Sequence, residues 1–141
     1  MSQFIVQQTE NKYEAIKELQ AAHLDAAFTI GVEGSNAINV AVQIKKDKAQ
    51  TSLAERRSLM FYLSSSSSGA DITGTAPSSG FAIGTNGKII SELVADKLAY
   101  VTTDASGRFD ITLTEAGVAT WYLVVIMPNG RLVVSGAITF A

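Results

Sequence analysis

The stretch NAINVAVQIK, residues 36–45, alternates apolar and polar or small side chains with a period of two. The branched aliphatic side chains that form the apolar set are Ile38, Val40, Val42 and Ile44. A period of two places alternate side chains on opposite faces of an extended strand. This stretch therefore predicts a β-strand that is buried on one face only.

Further strands are predicted on both sides of it. Five stretches have suitable length and composition: 27–34, 57–64, 108–114, 120–127 and 131–141. The stretch 120–127 is almost continuously apolar, which is typical of a central strand covered on both faces. Turn sequences separate these stretches, and Gly130 in MPNGR can supply the positive φ of a tight hairpin. Residues 91–99 stay ambiguous, because their composition favours a helix and their position favours an extended edge strand.

The serine-rich stretch LSSSSSGADITGTAPSSG, residues 63–80, has the composition of a linker or of a long loop. About three predicted strands precede it and four or five follow it. A three-stranded piece of this size would bury too little apolar surface to be stable alone. We therefore expect one domain over residues 25–141, in which 63–80 is an internal loop that is exposed and mobile.

Seven or eight short strands in one domain predict a mainly β fold, an antiparallel β-sandwich. The stretch TEAGVATWYLVV, residues 114–125, resembles the turn-to-strand passage of immunoglobulin-like domains. That resemblance implies an immunoglobulin-like sandwich in which Tyr122 forms a tyrosine corner, its hydroxyl bonding the backbone near Glu115. Val124 stands where such domains usually carry a cysteine.

Residues 1–24 predict a separate N-terminal arm and helix. Residues 11–24 have an apolar stripe at helical spacing, and Asn11 with Glu14 can form a capping box at their start. Ahead of them, QFIVQQ at residues 3–8 predicts a short apolar strand. One hypothesis is that the arm binds a partner through its apolar side chains, and the alternative is that both elements fold back onto their own sandwich. The residues of this hypothetical interface are Phe4, Ile5, Val6, Tyr13, Ile16 and Leu19.

Composition narrows the classes of function. The chain has 141 residues, a net charge of −2 and no cysteine, which excludes disulfides, cysteine nucleophiles and cysteine-ligated metals. No run approaches the ~20 apolar residues of a membrane span, and the first residues lack a secretory signal. The clusters Lys45–Lys48 and Arg56–Arg57 flank a predicted turn, which favours a solvated loop over a phosphate site. We therefore expect neither a nucleic-acid nor a membrane partner.

The residues that carry chemistry are sparse. His23 is the single histidine, so no catalytic triad and no histidine-rich metal site can be assembled. Asp104 and Asp110 bracket a turn that faintly resembles a calcium loop, but a hairpin turn explains Asp104 and Gly107 without a metal. The aromatic residues Trp121, Tyr62, Phe61, Phe81 and Phe109 could line a sugar-binding surface, although each also sits on a strand where core packing suits it. We expect no enzyme activity, no cofactor and no metal.

The strands and turns of residues 81–141, together with NAINVAVQIKK and MFYLS, resemble small virion structural proteins of tailed bacteriophages and prophages. The resemblance implies a non-catalytic head-decoration protein that binds the major capsid protein on the capsid exterior, after synthesis in the host bacterial cytoplasm. It leaves a monomer and a homo-oligomer such as a trimer both open. The alternative function is an adhesion module on a tail or fibre that binds a receptor or carbohydrate, with the serine stretch as a contact loop.

Overall fold

The computed structural model describes Lys12, residues 24–46 and residues 50–141. The predicted N-terminal strand, most of the predicted helix and all six residues of the hypothetical interface lie outside the described residues. Within them the chain forms ten β-strands: β1 Leu24–Ile30, β2 Ala37–Lys46, β3 Ser58–Ser64, β4 Phe81–Ile83, β5 Lys88–Val94, β6 Leu98–Thr102, β7 Arg108–Thr114, β8 Ala119–Ile126, β9 Leu132–Val134 and β10 Ile138–Phe140.

The strands form two antiparallel sheets. Sheet A has the order β1-β2-β7-β4, and sheet B has the order β10-β8-β3-β6-β5, with β9 also paired to β8. The order of sheet A is that of strands A-B-E-D in an immunoglobulin constant-type domain, and β9 or β10, β8 and β3 occupy the places of G, F and C. The predicted mainly β, immunoglobulin-like sandwich is confirmed.

The described part has more strands than the seven or eight expected, for two reasons. The predicted last strand is interrupted at residues 135–137, where the Ser135 hydroxyl accepts a hydrogen bond from the Leu123 amide at 2.9 Å. This interruption separates β9 from β10. In addition, the ambiguous stretch 91–99 belongs to an extended hairpin, β5–β6, which extends sheet B beyond β3.

The core lies between the inner faces of the two sheets. In β2, four alternate residues are buried and the residues between them are half-buried or exposed, as the period of two predicts. Phe61 of sheet B stacks on Phe109 of sheet A, with ring centroids 5.6 Å apart, and meets Phe81 edge to face at 5.2 Å. These aromatic contacts join the two sheets at the middle of the sandwich.

The hairpin between β8 and β9 has the expected turn. The Met127 amide donates to the Arg131 carbonyl at 2.8 Å, and Gly130 has a φ of +85°. A positive φ strains residues with a side chain, so glycine suits this position. The sequence prediction for this turn is confirmed.

The predicted tyrosine corner at Tyr122 is not formed. Tyr122 alternates with the inward-facing Trp121 and Leu123, so it points to the outer face of sheet B, and within residues 24–46 and 50–141 its hydroxyl has no hydrogen-bond partner. The tyrosine that does bond the backbone is Tyr62 on β3, whose hydroxyl donates to the Gly69 carbonyl. The local pattern at 114–125 therefore indicated the fold but not this contact.

Candidate functional site

The acidic residues considered for calcium have structural partners instead. Asp110 is buried and accepts hydrogen bonds from the Asn86 amide at 2.6 Å, the Thr85 amide at 3.1 Å and the Asn39 side chain at 2.8 Å. These contacts hold the loop between β4 and β5 against β7. No group of three or more potential metal ligands occurs among the residues that the structure describes.

Asp104 organises the turn between β6 and β7. Its carboxylate accepts hydrogen bonds from the backbone amides of Ser106 at 2.9 Å and Arg108 at 3.0 Å. Partial burial raises the pKa of Asp104, but the two amide bonds and the Arg108 charge outweigh it and leave the pKa below its ordinary value. The prediction that a hairpin explains this aspartate agrees with the geometry.

The aromatic residues considered for sugar binding are not available on the surface. Trp121 is 3% exposed, and its indole N–H donates to the Thr75 carbonyl at 3.0 Å. Phe61, Phe81 and Phe109 are buried in the core. Carbohydrate platforms need an exposed ring face, so none of these four side chains provides one.

The serine-rich stretch packs onto the outer face of sheet B. The Thr73 amide donates to the Leu63 carbonyl at 2.8 Å, and Thr73 is 4% exposed. Gly69 lies against Val124 and Val134, and its carbonyl accepts the Tyr62 hydroxyl bond. Most of the segment is exposed, but these contacts hold it against sheet B, where it covers apolar side chains that would otherwise face solvent.

Asp71 joins this segment to the end of β3. Its two carboxylate oxygens accept hydrogen bonds from the Ser64 and Ser65 hydroxyls, both at 2.8 Å. The Ser64 bond and then the Ser65 bond lower the pKa of Asp71. Burial, and next the Asp71 charge, raise the pKa of Tyr62 above its ordinary value. The Ser64 and Ser65 hydroxyls therefore donate hydrogen bonds to an ionised carboxylate.

One half of the outer face of sheet B is left open. The strand register places four apolar side chains in a line across β9, β8, β3 and β6; we call Leu132, Ile126, Met60 and Tyr100 the open row. Leu132 is 44% and Tyr100 37% exposed, and the other two are half-buried. Outward-facing positions of a sandwich are usually polar, so an apolar line at these positions is unusual.

The charged side chains divide between the two ends of the sandwich. The basic end consists of the start of β1 and the connections 50–57, 84–87, 103–107 and 127–131. At or next to it lie seven of the described lysines and arginines, against four acidic residues, Asp25, Glu55, Asp104 and Asp110. The seven cations are Lys45, Lys46, Arg56, Arg57, Lys88, Arg108 and Arg131.

Ion pairs at the basic end use only part of its positive charge. Arg57 pairs with Glu55 at 2.8 Å, and Arg108 with Asp104 at 3.5 Å. Lys46, Arg56 and Lys88 are exposed and have no salt bridge to any described residue. A shallow groove of about 400 Å³ beside this end is lined in part by Lys45, Asn86 and Arg108.

The opposite end, which we call the acidic end, consists of the connections 31–36, 65–80, 95–97 and 115–118. Among described residues it carries four acidic side chains and one cation, Lys97. Glu115 accepts bonds from the Gly117 and Ser78 amides, and these lower its pKa, so it stays ionised. The four acidic residues are Glu33, Asp71, Asp96 and Glu115.

The sequence analysis missed this charge polarity because it considered the clusters Lys45–Lys48 and Arg56–Arg57 only as the two sides of a single turn. The alternating direction of the antiparallel strands was a usable signal. It places the turns before Arg108 and before Leu132 at the same end as those two clusters. Counting charges by end, and not along the chain, would have revealed the basic end.

No family model, no curated protein and no solved structure matches the chain. In the part of the chain that the structure describes, no helix is long and apolar enough to cross a membrane.

Proposed function

We propose that this chain is a non-catalytic structural protein of a tailed-phage virion, which decorates the head by binding the outer surface of the major capsid protein lattice. The resemblance of residues 36–141 to virion structural proteins motivates the proposal. The immunoglobulin-like sandwich supports it as a rigid body for binding, since its loops are tied to the strands by hydrogen bonds.

The observation that carries the proposal is the charge polarity of the sandwich. A protein with a net charge of −2 that concentrates seven cations at one end has a surface complementary to an acidic partner. The acidic end would be repelled by the same partner. Polarity of this kind makes every copy bind in one orientation, with the basic end on the lattice and the acidic end outward.

A protein partner fits the basic end better than a nucleic acid does. Single-stranded nucleic-acid sites combine cations with exposed aromatic faces. Phe109, next to Arg108, is buried, and the partly exposed Tyr100 belongs to the open row on the outer face of sheet B. Three of the cations are also engaged by Asp25, Glu55 and Asp104. The exposed cations without a salt bridge to any described residue, Lys46, Arg56 and Lys88, suit a few contacts with carboxylates of a folded protein.

The test is co-sedimentation with capsids assembled from the major capsid protein, at about 0.1 M and about 1 M salt, where the Debye lengths are about 10 Å and 3 Å. We expect binding at the lower salt that weakens at the higher. The double variant Lys46→Gln, Lys88→Gln should bind about tenfold more weakly at the lower salt, because it removes two exposed cations from the basic end.

The matched control is the double variant Val118→Glu, Thr139→Glu, which lowers the net charge by the same amount at exposed positions away from the basic end and its groove. It should bind nearly as well as the original chain. Equal losses of capsid binding in the two variants would show that binding depends on net charge and not on the basic end. No binding of the original chain at either salt would overturn the proposal.

A further inference from the structure

The outer face of sheet B is covered over half of its length. The register places a second apolar line beside the open row, formed by Leu98, Tyr62, Val124 and Val134. Two of these, Tyr62 and Val124, are 7% and 0% exposed although they do not belong to the core between the sheets. The serine segment around Gly69 buries them. The same strands thus carry one covered line and one uncovered line.

The open row begins where residues 1–23 join the sandwich. These residues continue into β1 at Leu24, at the basic end. Asp25 forms an ion pair with Arg131 at 3.7 Å, and Arg131 directly precedes Leu132, the first member of the open row. The side chain of Ile30 also approaches Gly136, so β1 runs beside the β9–β10 edge of sheet B. A segment that leaves Leu24 therefore starts next to the row.

The sequence before Leu24 matches the row in pattern and reach. From Leu132 to Tyr100 the row crosses three strand spacings, about 14 Å. At about 1.5 Å per residue, the stripe of the predicted helix spans about 9 Å from Tyr13 to Leu19, and its long side chains extend its reach toward both ends of the row. One helix face can cover a line of this width.

The size of the row argues against a second copy of the chain as the cover. A stable dimer buries roughly 800 Å² on each partner. The open row has four side chains in a single line between the serine segment and the end of the sheet, whereas a stable interface uses about 20–30 residues on each side. A short segment of the same chain loses little entropy on docking, because it is already attached beside the row.

We propose that the stripe Tyr13, Ile16 and Leu19 packs on the open row of the same molecule and completes the cover of sheet B. Leu19 lies toward Leu132, where the chain enters, and Tyr13 lies toward Tyr100. This inference is independent of capsid binding by the basic end, since the two surfaces share no residue. Two hypotheses were open for the stripe, a contact with a partner and packing onto its own sandwich, and this inference selects the second.

The test uses the absence of cysteine in the chain. The double variant Leu19→Cys, Leu132→Cys is treated at low protein concentration with a bis-maleimide linker of about 8 Å, and products are separated by denaturing electrophoresis and mass spectrometry. The control is Leu19→Cys, Thr29→Cys, in which the second cysteine is exposed on the outer face of sheet A, also on the strand that follows the segment.

We expect an intramolecular cross-link in most molecules of the 19/132 variant and in few of the 19/29 variant. A Tyr13→Cys, Tyr100→Cys variant should also cross-link within one molecule, which checks the direction of the segment. Cross-links between molecules would mean that another copy supplies the cover and would overturn the inference. Equal or absent intramolecular cross-linking in the 19/132 and 19/29 variants would overturn it as well. Capsid binding is not read out here, so a failure of the proposed function leaves this result unchanged.

Discussion

Gly69 fixes how closely the serine segment approaches sheet B. Its φ is +72°, in the left-handed region that favours glycine. A Cβ at this position would lie 3.0 Å from a methyl group of Val134 and 3.1 Å from one of Val124. Both the backbone conformation and the available space therefore exclude a larger side chain without local movement.

The substitution Gly69→Ala should destabilise the fold by about 1–2 kcal/mol for the left-handed conformation, with a further cost for the methyl contacts. Gly130→Ala is the matched control, because Gly130 has a φ of +85° but no heavy atom within 4 Å of the place that an added methyl group would take. Denaturant unfolding should show a larger loss for Gly69→Ala than for Gly130→Ala. Equal losses would mean that Gly69 is not closely packed.

At the residue scale, the sequence could predict on which face of a sheet a side chain lies, but not which group it hydrogen-bonds. The alternation in β3 and β8 places Tyr62 and Tyr122 on the same outer face. Which of them bonds the backbone depends on the path of residues 65–80, a long connection without regular periodicity. Conformation there is decided by single hydrogen bonds, such as Trp121 to Thr75, between residues far apart in sequence.

At the scale of elements, the strands were predictable and the serine segment was not. Strand positions followed from the period of two and from turn residues, since side-chain burial itself imposes that period. The serine run has the composition of a flexible linker. In the fold it packs on sheet B, because Asp71 bonds the serines at the end of β3 and Gly69 covers an apolar line that the sequence pattern does not reveal.

Asp71 makes the attachment of this segment dependent on pH. Its pKa in the folded chain is lowered from the ordinary 3.8, so its stabilising contribution is present above that value and is lost as the pH falls through the lowered pKa. We expect the free energy of unfolding, measured between pH 6 and pH 2.5, to decrease more steeply for the original chain than for Asp71→Asn. Asp104 and Glu115 also have lowered pKa values, but both proteins contain them. Parallel curves of unfolding free energy against pH would therefore contradict the contribution of Asp71.

At the scale of the whole molecule, the antiparallel topology creates the charge polarity. Cations that are distant in sequence, at residues 45–46, 56–57, 88, 108 and 131, meet because alternate connections fall at the same end. Composition alone gave a net charge of −2 and no indication of a basic surface. In the proposed function, this polarity would set the orientation in which the sandwich binds its partner.

The most direct measurement of the central claim is the protection of single cysteines when the protein binds assembled capsids. Ala105→Cys places a thiol on an exposed turn of the basic end, and Val118→Cys places one on the acidic end, where Val118 is 84% exposed. Capsids should slow maleimide labelling at position 105 at least severalfold and leave position 118 reactive. Protection of position 118 with free labelling at position 105 would contradict docking through the basic end.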